Sequence, residues 1–181
     1  MEKFILISDY FHAYEIPGLH DDLIGYKDRM IKKVDDNPPP PNTFNVYFDE
    51  KDFDEKYQSI FLNLIHKYYV VDNNWNKNGF GIYKQTQSNN VSAFHSHIDN
   101  NTITAVTYID PPIANEGGGL EIFDPQRGFV IIQPVKDRIY FFPSWMIHRP
   151  LPQSSNITRI SINWGYRCSL KPVHKLTGNI W

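Results

Sequence analysis

Phe94-His95-Ser96-His97-Ile98-Asp99-Asn100 is the stretch on which the reading of this chain turns. It sets two imidazoles and a carboxylate on alternate residues. Side chains on a β-strand alternate between faces with a period of two, so residues 97 and 99 share a face and can reach one point in space. A third imidazole, His148, closes a second segment, Phe141-Phe142-Pro143-Ser144-Trp145-Met146-Ile147-His148. His97, Asp99 and His148 together offer two neutral nitrogens and one anionic oxygen to one side of a divalent metal, leaving other coordination positions open.

A structural zinc site asks for four closed ligands, commonly with thiolates. The single cysteine, Cys168, does not supply them. An open iron(II), manganese or catalytic zinc centre fits better. His95 lies on the same strand face as His97 and could compete as a ligand. A carboxylate two residues beyond His97 favours His97, so His95 is read as pocket lining.

Length and composition bound the rest. A chain of 181 residues predicts one domain with a sizeable core. Net charge is −2 and no long basic run occurs, which argues against nucleic acid as a partner. Phe4 to Ile7 is too short an apolar run for a secretory signal, and nothing approaches a membrane span. A lone cysteine excludes an intramolecular disulfide and fits a reducing, cytoplasmic setting; Cys168 itself reads as a small buried hydrophobe.

Phe4 to Ile7 predicts a short first strand. Leu19, Leu23, Tyr26 or Lys27, Met30, Ile31 and Val34 fall near a 3.6-residue period, predicting a helix over 19–34. Asp35 to Asn37 and the prolines Pro38 to Pro41 stop it; the proline run reads as a connector. Phe53, Tyr57, Ile60, Phe61, Leu64, Ile65 and Tyr68 share a face over 50–70, a packing helix capped by Asp49 or Asp52. From Gly79, strands are predicted at 79–86, 91–98, 102–109, 119–123, 128–134, 137–142 and 156–167. The pattern is mainly β with N-terminal helices: 1–78 as helical support, 79–167 as a sandwich or barrel core, and 168–181 as a C-terminal arm.

Arg159-Ile160-Ser161-Ile162-Asn163-Trp164 alternates polar and apolar, placing Arg159, Ser161 and Asn163 on one face. An arginine facing the inside of a barrel is costly unless an anion meets it. Its planar fork suits a carboxylate, and Ser161 adds a hydroxyl. An ion pair with a protein carboxylate is the competing account. Tyr83 and Tyr108, on the strands before and after that of His97, could donate to the same anion or be ordinary sheet tyrosines. Glu116-Gly117-Gly118-Gly119 reads as a tight turn; with no following helix and no Lys-Ser/Thr it is not a phosphate-cradling loop.

In this order the pieces resemble the 2-oxoglutarate- and iron(II)-dependent dioxygenases over roughly residues 79–167, and within them the small bacterial and viral members of the prolyl-4-hydroxylase-like group. His97-x-Asp99…His148 matches the family's metal triad and Arg159-x-Ser161 its carboxylate motif. Ile103 to Ile109 and Gly118-Gly119-Leu120 match its flanking segments. The resemblance implies a double-stranded β-helix (jelly-roll, cupin-like) core buttressed by helices. It implies iron(II) on His97, Asp99 and His148, and 2-oxoglutarate held by Arg159, Ser161 and Tyr108, with Tyr83 lining the pocket. It also implies O2 as oxidant and ascorbate as an accessory reductant. The implied reaction is hydroxylation of a C–H bond with release of succinate and CO2, the subgroup pointing to a prolyl residue in a protein or peptide. Collagen-type members carry lysine where this chain has Arg159, which weakens a specific analogy to collagen modification. Alternatives are the same chemistry on a free small molecule, a cupin-like zinc enzyme, or a non-catalytic jelly-roll binding module. The joint presence of triad, arginine and serine speaks against the last.

Overall fold

The computed structural model describes residues 3–8, 10–39, 46–66, 69–71, 80–87, 92–97 and 103–170. Asp99, Tyr68, Pro40, Pro41 and the arm from residue 171 onward lie outside the described residues. The N-terminal part contains β1 (Lys3–Leu6), β2 (His12–Glu15), α1 (Leu19–Ile24), α2 (Lys27–Asp36), β3 (Val46–Phe48), α3 (Lys51–His66) and β4 (Tyr69–Val71). The remainder is β5 (Phe80–Gln85), β6 (Ile103–Ile109), β7 (Leu120–Asp124), β8 (Gly128–Ile132), β9 (Arg138–Pro143), β10 (His148–Pro150), β11 (Arg159–Tyr166) and β12 (Cys168–Leu170).

A seven-stranded sheet runs β1-β2-β9-β6-β11-β5-β3, and a three-stranded sheet, β10-β7-β8, forms a second layer. Their pairings are antiparallel. This is the jelly-roll architecture, with the site between the two layers. Alternation along the central strands sorts side chains into two cores. Ile160, Ile162 and Trp164 of β11, with Ile103, Ala105 and Ile109 of β6, face the helices. Val106 and Tyr108 of β6, with Tyr140 and Phe142 of β9, face the smaller sheet.

The helices cover the outer face of the large sheet. Phe53, Tyr57, Phe61, Leu64 and Ile65 of α3 are buried. Phe61 meets Trp164 edge-on at 4.9 Å and Phe53 meets Phe80 at 5.0 Å. Each such side chain stabilises the fold by roughly 1.5–3 kcal/mol through burial. Asp110, just beyond β6, ties α1 and α2 to the sheet through His20 at 3.0 Å and Lys27 at 2.7 Å. No helix among the described residues is long and apolar enough to cross a membrane.

Five expectations change. The helix over 19–34 is two helices, α1 ending at Ile24 and α2 starting at Lys27, and the packing helix predicted over 50–70 is α3, Lys51–His66. Residues before 79 are more than helical support: β1, β2 and β3 extend the large sheet at both edges. Strand 91–98 is not a strand over 92–97. Its backbone divides its hydrogen bonds, His95 pairing with His148 and His97 with Ser144, so it crosses strand ends instead of running beside one. Residues after Arg167 begin with β12, which pairs with β4. Cys168 packs, partly buried, against the helix-side core, and burial pushes its thiol up to about 12.

His12 carries a pH prediction. Its ring stacks on Phe141 at 5.5 Å and 15°, and burial pulls its pKa down to about 4. The unfolded state then binds the proton first as pH falls below about 6.5. Stability is therefore full above that value and is lost as pH drops toward 4, by up to about 3 kcal/mol from this residue. Urea midpoints at pH 7.5 and 4.5 should differ less for His12→Phe than for the wild type.

Candidate active site

Two imidazoles are brought together by backbone pairing. His148 opens β10, and its amide and carbonyl bond to those of His95 at 2.9 and 3.0 Å. A turn in which the Met146 amide meets the Pro143 carbonyl leads into this strand. The Ser144 carbonyl of that turn accepts from the His97 amide at 2.8 Å, and the buried Ser144 hydroxyl is held by Thr104 at 2.8 Å. One structured turn thus sets both His97 and His148. Ligand atoms of His95, His97 and His148 all lie within 4.8 Å of one another.

The environment keeps these rings neutral. Burial, then the neighbouring His95, lowers His97 to about 4; burial, His95 and His97 lower His148 to about 3 despite its contact with Met146. Nδ1 of His148 lies 2.9 Å from the Met146 carbonyl. A carbonyl only accepts, so the proton sits on Nδ1 and the Nε2 lone pair is available. This is the state a metal ligand needs.

A second group lies behind this cluster, built by register. Ser161 is level with Tyr83 on one neighbouring strand and with Tyr108 on the other. Two residues along β11 and on the same face, Arg159 is level with Gln85. Arg159 is 1% exposed. Its guanidinium donates to the Gly118 carbonyl and to Oε1 of Gln85, and lies 5.1 Å from the centre of the Tyr108 ring. Its Nε is buried without a partner. Among the described residues its partners are neutral oxygens and no carboxylate pairs with it, so the competing ion-pair account fails there. Burial lowers its pKa and raises that of Tyr108, the cation drawing the phenol partly back. A buried guanidinium stays charged and is incompletely compensated; a diacid reaching it would correct that.

Tyr83, His95, His97, Tyr108, His148, Ser161 and Asn163 line a pocket partly open to solvent, with Val106, Leu120, Phe142 and Pro150 as its apolar walls. The donor set suits a divalent metal at the imidazoles and a carboxylate toward Arg159. Asp99, the third expected metal ligand, lies outside the described residues. Tyr83, Tyr108, Ser161, His97 and His148 do converge, with Arg159 behind them.

Two contributors escape a motif reading. Gln85 follows Tyr83 by two residues on β5 and could have been found by period alone. Gly118 is the second. Its φ is +69°, and a Cβ there would meet Pro112 Cγ at 2.5 Å and Arg159 Nη1 at 3.2 Å.

Two predictions follow from this clamp. Gly118→Ala is expected to cost about 1–3 kcal/mol of stability, from the left-handed backbone and the collision. It is also expected to weaken binding of a carboxylate ligand at Arg159, since the guanidinium must shift; thermal melts and ligand titration check both. Gln85→Glu, nearly isosteric, hands Arg159 the carboxylate it lacks, and the Kd of such a ligand is expected to rise about 10- to 100-fold.

Residues 83–166 match the family model described as the 2OG-Fe(II) oxygenase superfamily. No curated protein matches the sequence. Among solved structures, the fold is similar to a Pseudomonas putida prolyl-4-hydroxylase (15% identity, TM-score 0.61, covering 87% of this chain and 92% of that one). It is also similar to the viral collagen prolyl hydroxylase of Paramecium bursaria Chlorella virus-1 in its 2OG complex (18%, 0.60, 87% and 96%). A third is the Trichoplax adhaerens prolyl hydroxylase in complex with a hypoxia-inducible-factor oxygen degradation domain peptide fragment (16%, 0.63, 90% and 83%).

Proposed function

We propose that the chain is a 2-oxoglutarate/iron(II)-dependent oxygenase, of the kind described by the superfamily model that its residues 83–166 match, and that it hydroxylates a C–H bond of a prolyl residue in a peptide, releasing succinate and CO2. The observation that carries the site reading is the buried Arg159, without a carboxylate among the described residues, two residues along β11 from Ser161, which lines the histidine pocket. The prolyl substrate is supported by the shared fold of proteins described as prolyl hydroxylases, one of them bound to a peptide.

Iron(II) and 2-oxoglutarate, when bound, supply the oxidising chemistry. The chain's residues place them. His97, His148 and Asp99 would hold the metal, the two imidazoles kept neutral by burial and His148 oriented by its Nδ1 contact with Met146. Arg159 would take the far carboxylate, its fork already aligned by Gly118 and Gln85 so that little ordering remains when the anion arrives. Ser161 and Tyr108 add hydroxyls beside it, with Tyr83 on the opposite side of the rung. Val106, Leu120 and Phe142 narrow the space left to water, which strengthens each polar contact inside.

The test is succinate formation from 2-oxoglutarate with added iron(II), run with proline-containing peptides and with free small molecules. Gain of one oxygen atom on a prolyl residue is the expected result. Oxygenation of small molecules only would move the substrate class. Absence of succinate under every condition, with no absorption from an iron–keto acid chelate, would overturn the reading.

A further inference from the structure

We propose that His95 is a third imidazole ligand of the ion held by His97 and His148, so that this chain can keep a divalent metal through histidines alone. The proposal rests on the metal-site reading above and extends it to a residue outside the His-x-Asp…His pattern.

Backbone geometry makes the argument. His95 and His148 form an isolated antiparallel bridge, closed by two hydrogen bonds of 3.0 and 2.9 Å. Directly paired residues on antiparallel chains project side chains to the same face, with Cβ atoms about 4.5–5.5 Å apart. The two rings accordingly stand 4.4 Å apart, centre to centre. His97 lies two residues beyond His95, and its ring is 5.2 Å from that of His95 and 5.1 Å from that of His148. The three rings form a nearly equilateral group around one point of the pocket.

Distance is close to what coordination needs. Three nitrogens bound to one ion by bonds of about 2.1 Å stand about 3.0–3.6 Å apart. Ligand atoms within 4.8 Å of one another close on an ion through side-chain rotations that draw them in by about 1–2 Å. His95 also has the right chemistry. Its Nδ1 faces the Ala93 carbonyl at 3.4 Å, as Nδ1 of His148 faces Met146, which leaves Nε2 as the lone-pair nitrogen on both rings. An imidazole serving only as wall would need neither this orientation nor a place level with a ligand.

The experiment is an anaerobic Co(II) titration of the metal-free protein, followed by visible absorption, with circular dichroism as the check on folding. Wild type, His95→Ala, His95→Gln, Asp99→Asn, the Asp99→Asn/His95→Gln double variant and His148→Ala are compared. The expected result is that both His95 variants lose at least 10- to 100-fold in Co(II) affinity, the penalty that even an outer-shell change carries. The d–d band is expected to change shape in both. Asp99→Asn is expected to keep binding, and the double variant to lose it. Wild-type affinity and band in both His95 variants, with binding lost in His148→Ala, would overturn the role of His95 and leave the site reading standing. Unchanged Co(II) binding in His148→Ala would overturn both. Circular dichroism identifies a variant that misfolds, and Asp99→Asn then decides the matter: loss of Co(II) binding in a folded Asp99→Asn chain also overturns the proposal.

Discussion

Replacing His148 with alanine is expected to remove turnover altogether, more than 100-fold below wild type, because a ligand is lost and not merely a supporting contact. The substitution takes out an imidazole that is 5% exposed, preceded by a turn that also fixes the His97 backbone. The pairing of His95 with residue 148 uses main-chain groups and survives the change. The metal-free variant should therefore stay folded, losing about 1–2 kcal/mol for the small cavity. Succinate release and metal content, measured on the same preparation, check the result. Added imidazole, which fits the vacated space, is expected to restore part of the activity. A folded His148→Ala protein that turns over at wild-type rate would remove this residue from the centre.

Arg159→Met is expected to raise the 2-oxoglutarate KM by about 100-fold or more, as a charge-assisted pair is worth about 1.5–3 kcal/mol and the fork makes more than one contact. The methionine keeps much of the stem but leaves the Gly118 carbonyl and Gln85 Oε1 without their donor. Against that loss stands the removal of a buried charge, which by itself is neutral or favourable. Stability should then move by only about 1–2 kcal/mol in either direction while co-substrate binding collapses. Arg159→Lys keeps the charge without the fork and is expected to fall between the two. Equilibrium dialysis with labelled 2-oxoglutarate separates binding from chemistry; equal affinity in Arg159→Met and wild type would show that the anion is held elsewhere.

What the sequence carried is clearest in β11. Strict alternation from Arg159 to Trp164 put Ile160, Ile162 and Trp164 against the helices and turned Arg159, Ser161 and Asn163 the other way, as period two requires. Tyr83 and Tyr108 were legible for the same reason, being on strands long enough to show a face. The miss at residues 92–97 has the opposite cause. Alternating histidines looked like strand, but the segment pairs at single points with two partners, and nothing local encodes a partner fifty residues away. The same applies to β2, four residues long, whose place beside β9 follows from the large sheet and not from its own pattern. Period two put Gln85 on the face of Tyr83, but its task, holding Arg159, exists only once Arg159 and Gln85 stand level. Gly118 could be read as a turn but not as the carbonyl that grips a guanidinium.

The grip on Arg159 has one more consequence. A cation fastened on two sides, under Pro112 and Gln153 packed against Gly118, cannot follow a ligand of the wrong length. The space between the histidines and that fixed charge acts as a gauge. Oxo-diacids one carbon shorter than 2-oxoglutarate should fail to touch both ends at once, and those one carbon longer should have to buckle.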